Sequence, residues 1–158
     1  MGFLVSLNLS IIIAILFFSI KKKMNTLEHT FILLIVIFIF TSITSSITDN
    51  VKIWSLSDET KLHGTFKVIQ LIGIPLLFMY FINRLVVVQD WKKRITKFIS
   101  FIFILMLYEW TWLKAGIIKH TNWHFGLSFV LWTVLFLLVL LLLQLFKKIL
   151  KKEGVHVW

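Results

Sequence analysis

The sequence predicts an all-α, polytopic membrane protein, a single transmembrane domain of five spans that takes in residues 1–158. Three observations carry this. Of the 158 residues, 59% are hydrophobic and only seven are acidic, too little polar surface to cover a soluble core of that size. The apolar residues form continuous runs such as FILLIVIFIF, where the strands of a membrane β-barrel would alternate. Proline (1) and glycine (6) are scarce, so little interrupts a helix.

Five apolar segments can be drawn, at residues 3–20, 30–47, 66–88, 98–118 and 125–146. Each is long enough to cross ~30 Å of hydrocarbon at ~1.5 Å per residue. The first has no basic residue ahead of it and Lys21, Lys22 and Lys23 behind it. It therefore reads as a retained anchor of reversed orientation, not a cleaved signal. The opening MGFLVS matches an N-myristoylation pattern but runs straight into this span, where an acyl chain would add little. The second span has an apolar first half, FILLIVIF, and a hydroxyl-rich second half, TSITSSITD. The loop at 48–65 is too short for a domain and should form no more than an amphipathic turn along the surface. The third span carries Gln70 and Pro75, whose missing N–H predicts a kink. The fourth carries Glu109, and the fifth Ser128 and Thr133.

Charge orients these spans. With the N-terminus outside, the inner side takes Lys21, Lys22, Lys23, Arg84, Lys92, Lys93, Arg94, Lys97, Lys147, Lys148, Lys151 and Lys152. The outer side takes Lys52, Lys61, Lys67, Lys114 and Lys119. That excess on one side is what the positive-inside rule requires, so the C-terminus lies inside. Trp54, Trp91 and Trp123 fall in or beside loops, where an indole keeps its ring among lipids and its N–H among headgroups. The net charge of +10 sits in clusters flanking apolar runs. The partners it implies are the bilayer and anionic lipid headgroups at the inner clusters, not nucleic acid. Cysteine is absent, which removes disulfides, thiol catalysis and thiolate metal sites.

Chemistry has one focus. Glu109, in LMLYEWTWLKAG, falls about 16 Å into a helix that starts at residue 98, near mid-membrane. An ionised carboxylate there costs several kcal/mol unless paired, hydrated or protonated. Lys114 is a poor partner, since five helical residues turn the two side chains some 140° apart, and it should snorkel to the outer headgroups. At matched depth on other helices lie Thr41, Ser42, Ser45, Gln70 and Ser128, with inner halves that are almost wholly apolar. Together these predict a polar pocket around Glu109, open to the outside and closed below. Its polar groups should face one another across helices. His120 and His124, in HTNWH, have a helical metal-ligand spacing, but the segment reads as a tight loop without a local third ligand. No H-E-x-x-H, G-x-S-x-G or phosphate-binding glycine loop occurs, and no cofactor is implied.

The position of Pro75, the acid in LYEW and the segment LKAGIIKHTNWHFGLSF resemble an uncharacterised family of small five-span membrane proteins of Bacillus- and Clostridium-type bacteria. The likeness is clearest over residues 75–136, and the family's short basic, aromatic tail is partly matched by VHVW. It implies a multi-pass protein of the bacterial cytoplasmic membrane and carries no assigned activity or site residues. The expected function is non-enzymatic: an accessory or interaction subunit, a class that includes immunity and envelope-stress components, with a homo-oligomer or another membrane protein as partner. The alternative is a small proton- or cation-coupled carrier or channel subunit, oligomeric, with Glu109 as the ion site.

Overall fold

The computed structural model describes residues 2–121 and 123–154. The VHVW tail, Asn122 and Met1 lie outside the described residues. Helix α1 (Gly2–Ser19) leads through a basic turn to α2 (Thr26–Ser45), which continues as a π-helical turn, Ser46–Asn50. Strand β1 (Trp54–Leu56) precedes a helix in three parts: α3 (Thr60–Val68), a π turn (Ile69–Gly73) and α4 (Ile74–Val86). Helix α5 (Trp91–Lys114), strand β2 (Ile118–His120) and α6 (Phe125–Lys152) complete the chain.

The molecule is all-α apart from the short antiparallel ribbon β1–β2, which pairs Trp54 with His120, Ser55 with Lys119 and Leu56 with Ile118. Four continuous helices are long and apolar enough to cross a membrane: Thr26–Asn50, Thr60–Val86, Trp91–Lys114 and Phe125–Lys152. The apolar helix Phe3–Ser19 is shorter. Helices outrun the apolar segments that predict them, because backbone hydrogen bonding continues where side chains turn polar. Thus α5 starts at Trp91, seven residues before the expected boundary, and α6 reaches Lys152. Residues 48–65, expected to hold a surface turn, instead supply a π turn, β1 and the first turns of α3.

The α3–α4 helix is central. Ile74 to Met79 are all buried, whereas α2, α5 and α6 each bury one stripe. On α2 the stripe is Ile32, Val36 and Phe40, on α6 it is Ser128, Trp132, Leu135, Val139 and Leu143, and both follow the three- and four-residue spacing of one helix face. Phe78 on α4 contacts Phe101 on α5 and Phe136 on α6 through its ring. The outward faces stay apolar, with Phe38 68%, Phe103 61% and Leu34 61% exposed, as expected where lipid is the solvent.

The break in the central helix lies just ahead of Pro75. Proline has no N–H to give to the carbonyl four residues back, and the ladder relaxes upstream into the Ile69–Gly73 π turn. Gly73 there lets α1 and α5 approach. A Cβ on it would stand 2.7 Å from the Tyr108 hydroxyl and 3.1 Å from Ser10 Oγ, which bond each other at 2.7 Å across the helices.

Candidate functional site

The two ends of the bundle each bury a carboxylate. At the ribbon end it is Glu109, fully buried, about 7 Å of helix from the C-terminus of α5. This is closer to the end than a helix starting at residue 98 implied. Ser128 Oγ donates to its Oε1 and Trp132 Nε1 to its Oε2, each at 2.7 Å. Both donors come from one face of α6, spaced four residues apart. Trp123 Nε1 donates to Ser128 Oγ at 2.7 Å, and His120 Nε2 stands 3.3 Å from Oε1. Phe40 stacks on Trp132, and Trp112 meets both rings, so the carboxyl group is walled by aromatics.

The ribbon lids this cluster, and the end of α5 sets its position. Gly116, at φ 69°, closes α5 in a Schellman motif: its N–H bonds Leu113 O at 3.0 Å and that of Ile117 bonds Trp112 O at 2.9 Å. The chain reverses into β2, which brings His120 back over Glu109, eleven positions earlier in sequence. Trp54 of β1 stacks on the His120 ring, and its edge meets Trp123. Burial pushes the His120 imidazole below the usual histidine range, since removing it from water disfavours its charged form.

Of the five residues expected beside Glu109, the structure brings Ser128 there. Ser42 and Ser45 are exposed, and the Ser42 hydroxyl donates to Phe38 O at 2.8 Å. Thr41 is half-buried, with its hydroxyl oxygen unbonded. Gln70 is buried on the π turn and accepts from Lys67 Nζ at 3.3 Å. Equal depth does not give equal direction around a helix, and a hydroxyl that faces elsewhere, as on Ser42, can satisfy itself by bonding the carbonyl one turn back. Ser10, Thr44, Thr48 and Thr65 do the same. Lys114 does turn away from Glu109, with Nζ 5.6 Å from the Trp110 ring centre. His124 is exposed at the start of α6. No group of three or more His or acidic side chains among the described residues could hold a metal ion. Trp132 was missed by sequence reading, although it shares the helix face of Ser128 and carries an obligate donor.

The other carboxylate, Glu28, lies at the basic end, also fully buried. It closes a capping box: Asn25 Oδ1 accepts from the Glu28 N–H, and Glu28 Oε2 accepts from the Asn25 N–H, both at 2.8 Å. Lys147 Nζ, from the last turns of α6, lies 3.2 Å from Oε1. Asn83 of α4 fastens the adjoining α1–α2 turn, accepting from Lys23 N at 2.7 Å and donating to Lys21 O at 3.2 Å. Comparisons of the chain with protein-family models, curated proteins and solved structures gave no match.

Proposed function

We propose that this chain is a small, non-enzymatic integral membrane protein of the bacterial cytoplasmic membrane, an accessory or interaction subunit whose buried acids are structural. In this reading α1 is a fifth span, the ribbon end faces outside and the basic end inside. The charge distribution supports that orientation, as does the clustering of Lys21, Lys22 and Lys23 with Arg84 and Lys147 at one end. The observation that carries the structural role is the seating of Glu109: both its oxygens accept from α6, and nothing of it is exposed. Several buried polar groups of the bundle pair with one another. Tyr108 bonds Ser10, Asn83 bonds the α1–α2 turn, and Glu28 meets Lys147. Apolar faces and the basic rim are left to meet lipid, a second copy or another membrane protein.

The contact between His120 and Glu109 favours one second reading, in which the pair relays a proton from the outer face. Substitution of Glu109 by glutamine separates the two. Glutamine can offer its carbonyl oxygen to Trp132 and its amide to Ser128, so a structural Glu109 tolerates the change. A proton site does not: proteoliposomes of the wild type would then take up protons under an imposed potential, and Glu109→Gln would abolish the uptake. Uptake by neither leaves the structural role standing. Topology is read separately. Single cysteines at Ser57 and Lys93 should react and stay silent, respectively, with an impermeant thiol reagent in intact cells. The reverse pattern would invert the orientation.

A further inference from the structure

We propose that the basic end holds one anionic phospholipid in a specific groove between α4, α5 and α6, its phosphodiester at Arg94 and Lys147 and an acyl chain along Phe98 and Phe136. This rests on the membrane-spanning reading above. The groove consists of two adjoining cavities. One, about 360 Å³, is lined by Arg94, Lys147 and Gln144 over an aliphatic floor. The other, about 240 Å³, is lined by apolar side chains including Trp91, Phe98, Phe136 and Leu137. They share Leu85, Arg94 and Leu140, so a cationic mouth and an apolar trough lie side by side.

That sequence of chemistry matches an amphiphile with a negative head. Arg94, on the first turn of α5, has no carboxylate at ion-pair distance among the described residues, and its planar guanidinium suits a phosphate oxygen pair. Lys147, ion-paired with Glu28, lines the same hollow. Gln144 adds an amide donor one turn before it. Trp91, 69% exposed, stands at the rim, where an indole favours the headgroup boundary. Another groove, between α1, α4 and α5 and about 460 Å³, is lined by Leu9, Ile12, Leu77 and other uncharged residues, so nothing in it selects a headgroup. Basic hollows between helices on the cytoplasmic side are a known way to hold acidic lipids.

The test is native mass spectrometry of the full chain purified in neutral detergent and mixed with equal phosphatidylglycerol and phosphatidylcholine. One phosphatidylglycerol should be retained in preference. Arg94→Gln, a change on an exposed side chain, should lower the retained ratio about fivefold, the effect of one cation near a lipid phosphate. Lys148→Gln, adjacent but outside the groove, should leave it unchanged. Leu137→Trp should fill the trough and weaken retention of phosphatidylglycerol. Excess inorganic phosphate should not displace the lipid. Equal losses from the Arg94 and Lys148 variants would mean diffuse surface attraction and overturn the site. Displacement by phosphate would make it a soluble-anion site, and indifference to Leu137→Trp would remove the acyl chain; either result overturns the proposal. Labelling of a Lys93→Cys variant reports the orientation independently: a basic end that faces outside would invert the topology but leave these ratios as they are.

Discussion

Glu109 and Glu28 are equally buried, yet the two ends of the molecule accommodate them by opposite means. Glu28 sits on the first turn of α2, where unpaired backbone N–H groups are at hand, and it takes one of them together with a lysine. Glu109 sits inside α5, where every nearby N–H is already used by the helix. Its partners are neutral side-chain donors from a different helix and a histidine from the ribbon. An acid at a helix start can be served locally. One within a helix must be served by tertiary structure, so its removal should reach further through the fold.

The largest expected effect follows from that. Glu109→Leu strands the Ser128 hydroxyl and the Trp132 N–H in an apolar setting and unseats the ribbon lid. The cost should be about 2 to 6 kcal/mol, at about 1–3 kcal/mol for each of the two unsatisfied buried donors. Glu109→Gln should cost far less, for the reason of matched donors given above. Unfolding in mixed micelles, followed by helical circular dichroism, measures both. A leucine variant as stable as wild type would erase the contrast between the two ends.

Between the two ends lies a polar contact without an acid, Tyr108 to Ser10. Gly73→Ala pushes a methyl group against the Tyr108 hydroxyl and should cost about 1 to 3 kcal/mol, the usual range for overpacking. Adding Tyr108→Phe should recover part of that loss by removing the atom in the way. If the double variant is worse than the sum of the single changes, the crowding lies elsewhere.

At the basic end the effect should be smaller. Glu28→Ala removes the reciprocal cap, worth about 1 kcal/mol, while the stem of Lys147 is long enough to carry its charge outward. Loss should concentrate at the start of α2, visible as faster amide exchange over residues 25–30, with the ribbon end unaffected. A global loss as large as that of Glu109→Leu would show the lysine pair, not the cap, to be the essential element.

These differences also govern what could be read from the sequence. The helices were legible because apolar runs of about 18 residues or more admit few alternatives in lipid, and the helix content follows. Glu109 was legible as a buried acid, and so was the exclusion of Lys114, because both depend on helix geometry alone. The partner on α6 was half legible: Ser128 was anticipated and Trp132 was not, since a tryptophan in an apolar run reads first as bulk. Thr41, Ser42, Ser45 and Gln70 were misplaced because equal depth does not imply equal direction around a helix. The ribbon was hidden because its strands have three residues each and are 62 positions apart at their closest, Leu56 to Ile118. Glu28 was the avoidable miss. NTLE spells an N-cap and its reciprocal glutamate, but it lies just outside the apolar run that marks the second span.

The smallest effect is expected from His120, and it tests how far the neutral character of the ribbon end extends. Half-buried against Trp54 and Trp123, its imidazole is held below the ~6.5 of an unfolded chain. A histidine whose folded pKa is depressed binds fewer protons folded than unfolded between the two values, so stability rises with pH across that window. The contribution is complete above about pH 6.5 and is lost as pH falls toward the folded value. A charged imidazole beside an ionised Glu109 would act in the opposite sense, because their attraction would stabilise the protonated form. Unfolding midpoints between about pH 5 and 8, compared for wild type and His120→Gln, isolate this one group from the other carboxylates and histidines. The wild type should lose stability on acidification more steeply than the variant. If it is instead protected by acid relative to the variant, the ribbon end holds an ion pair, and the two ends of the molecule solve their buried charge in the same way after all.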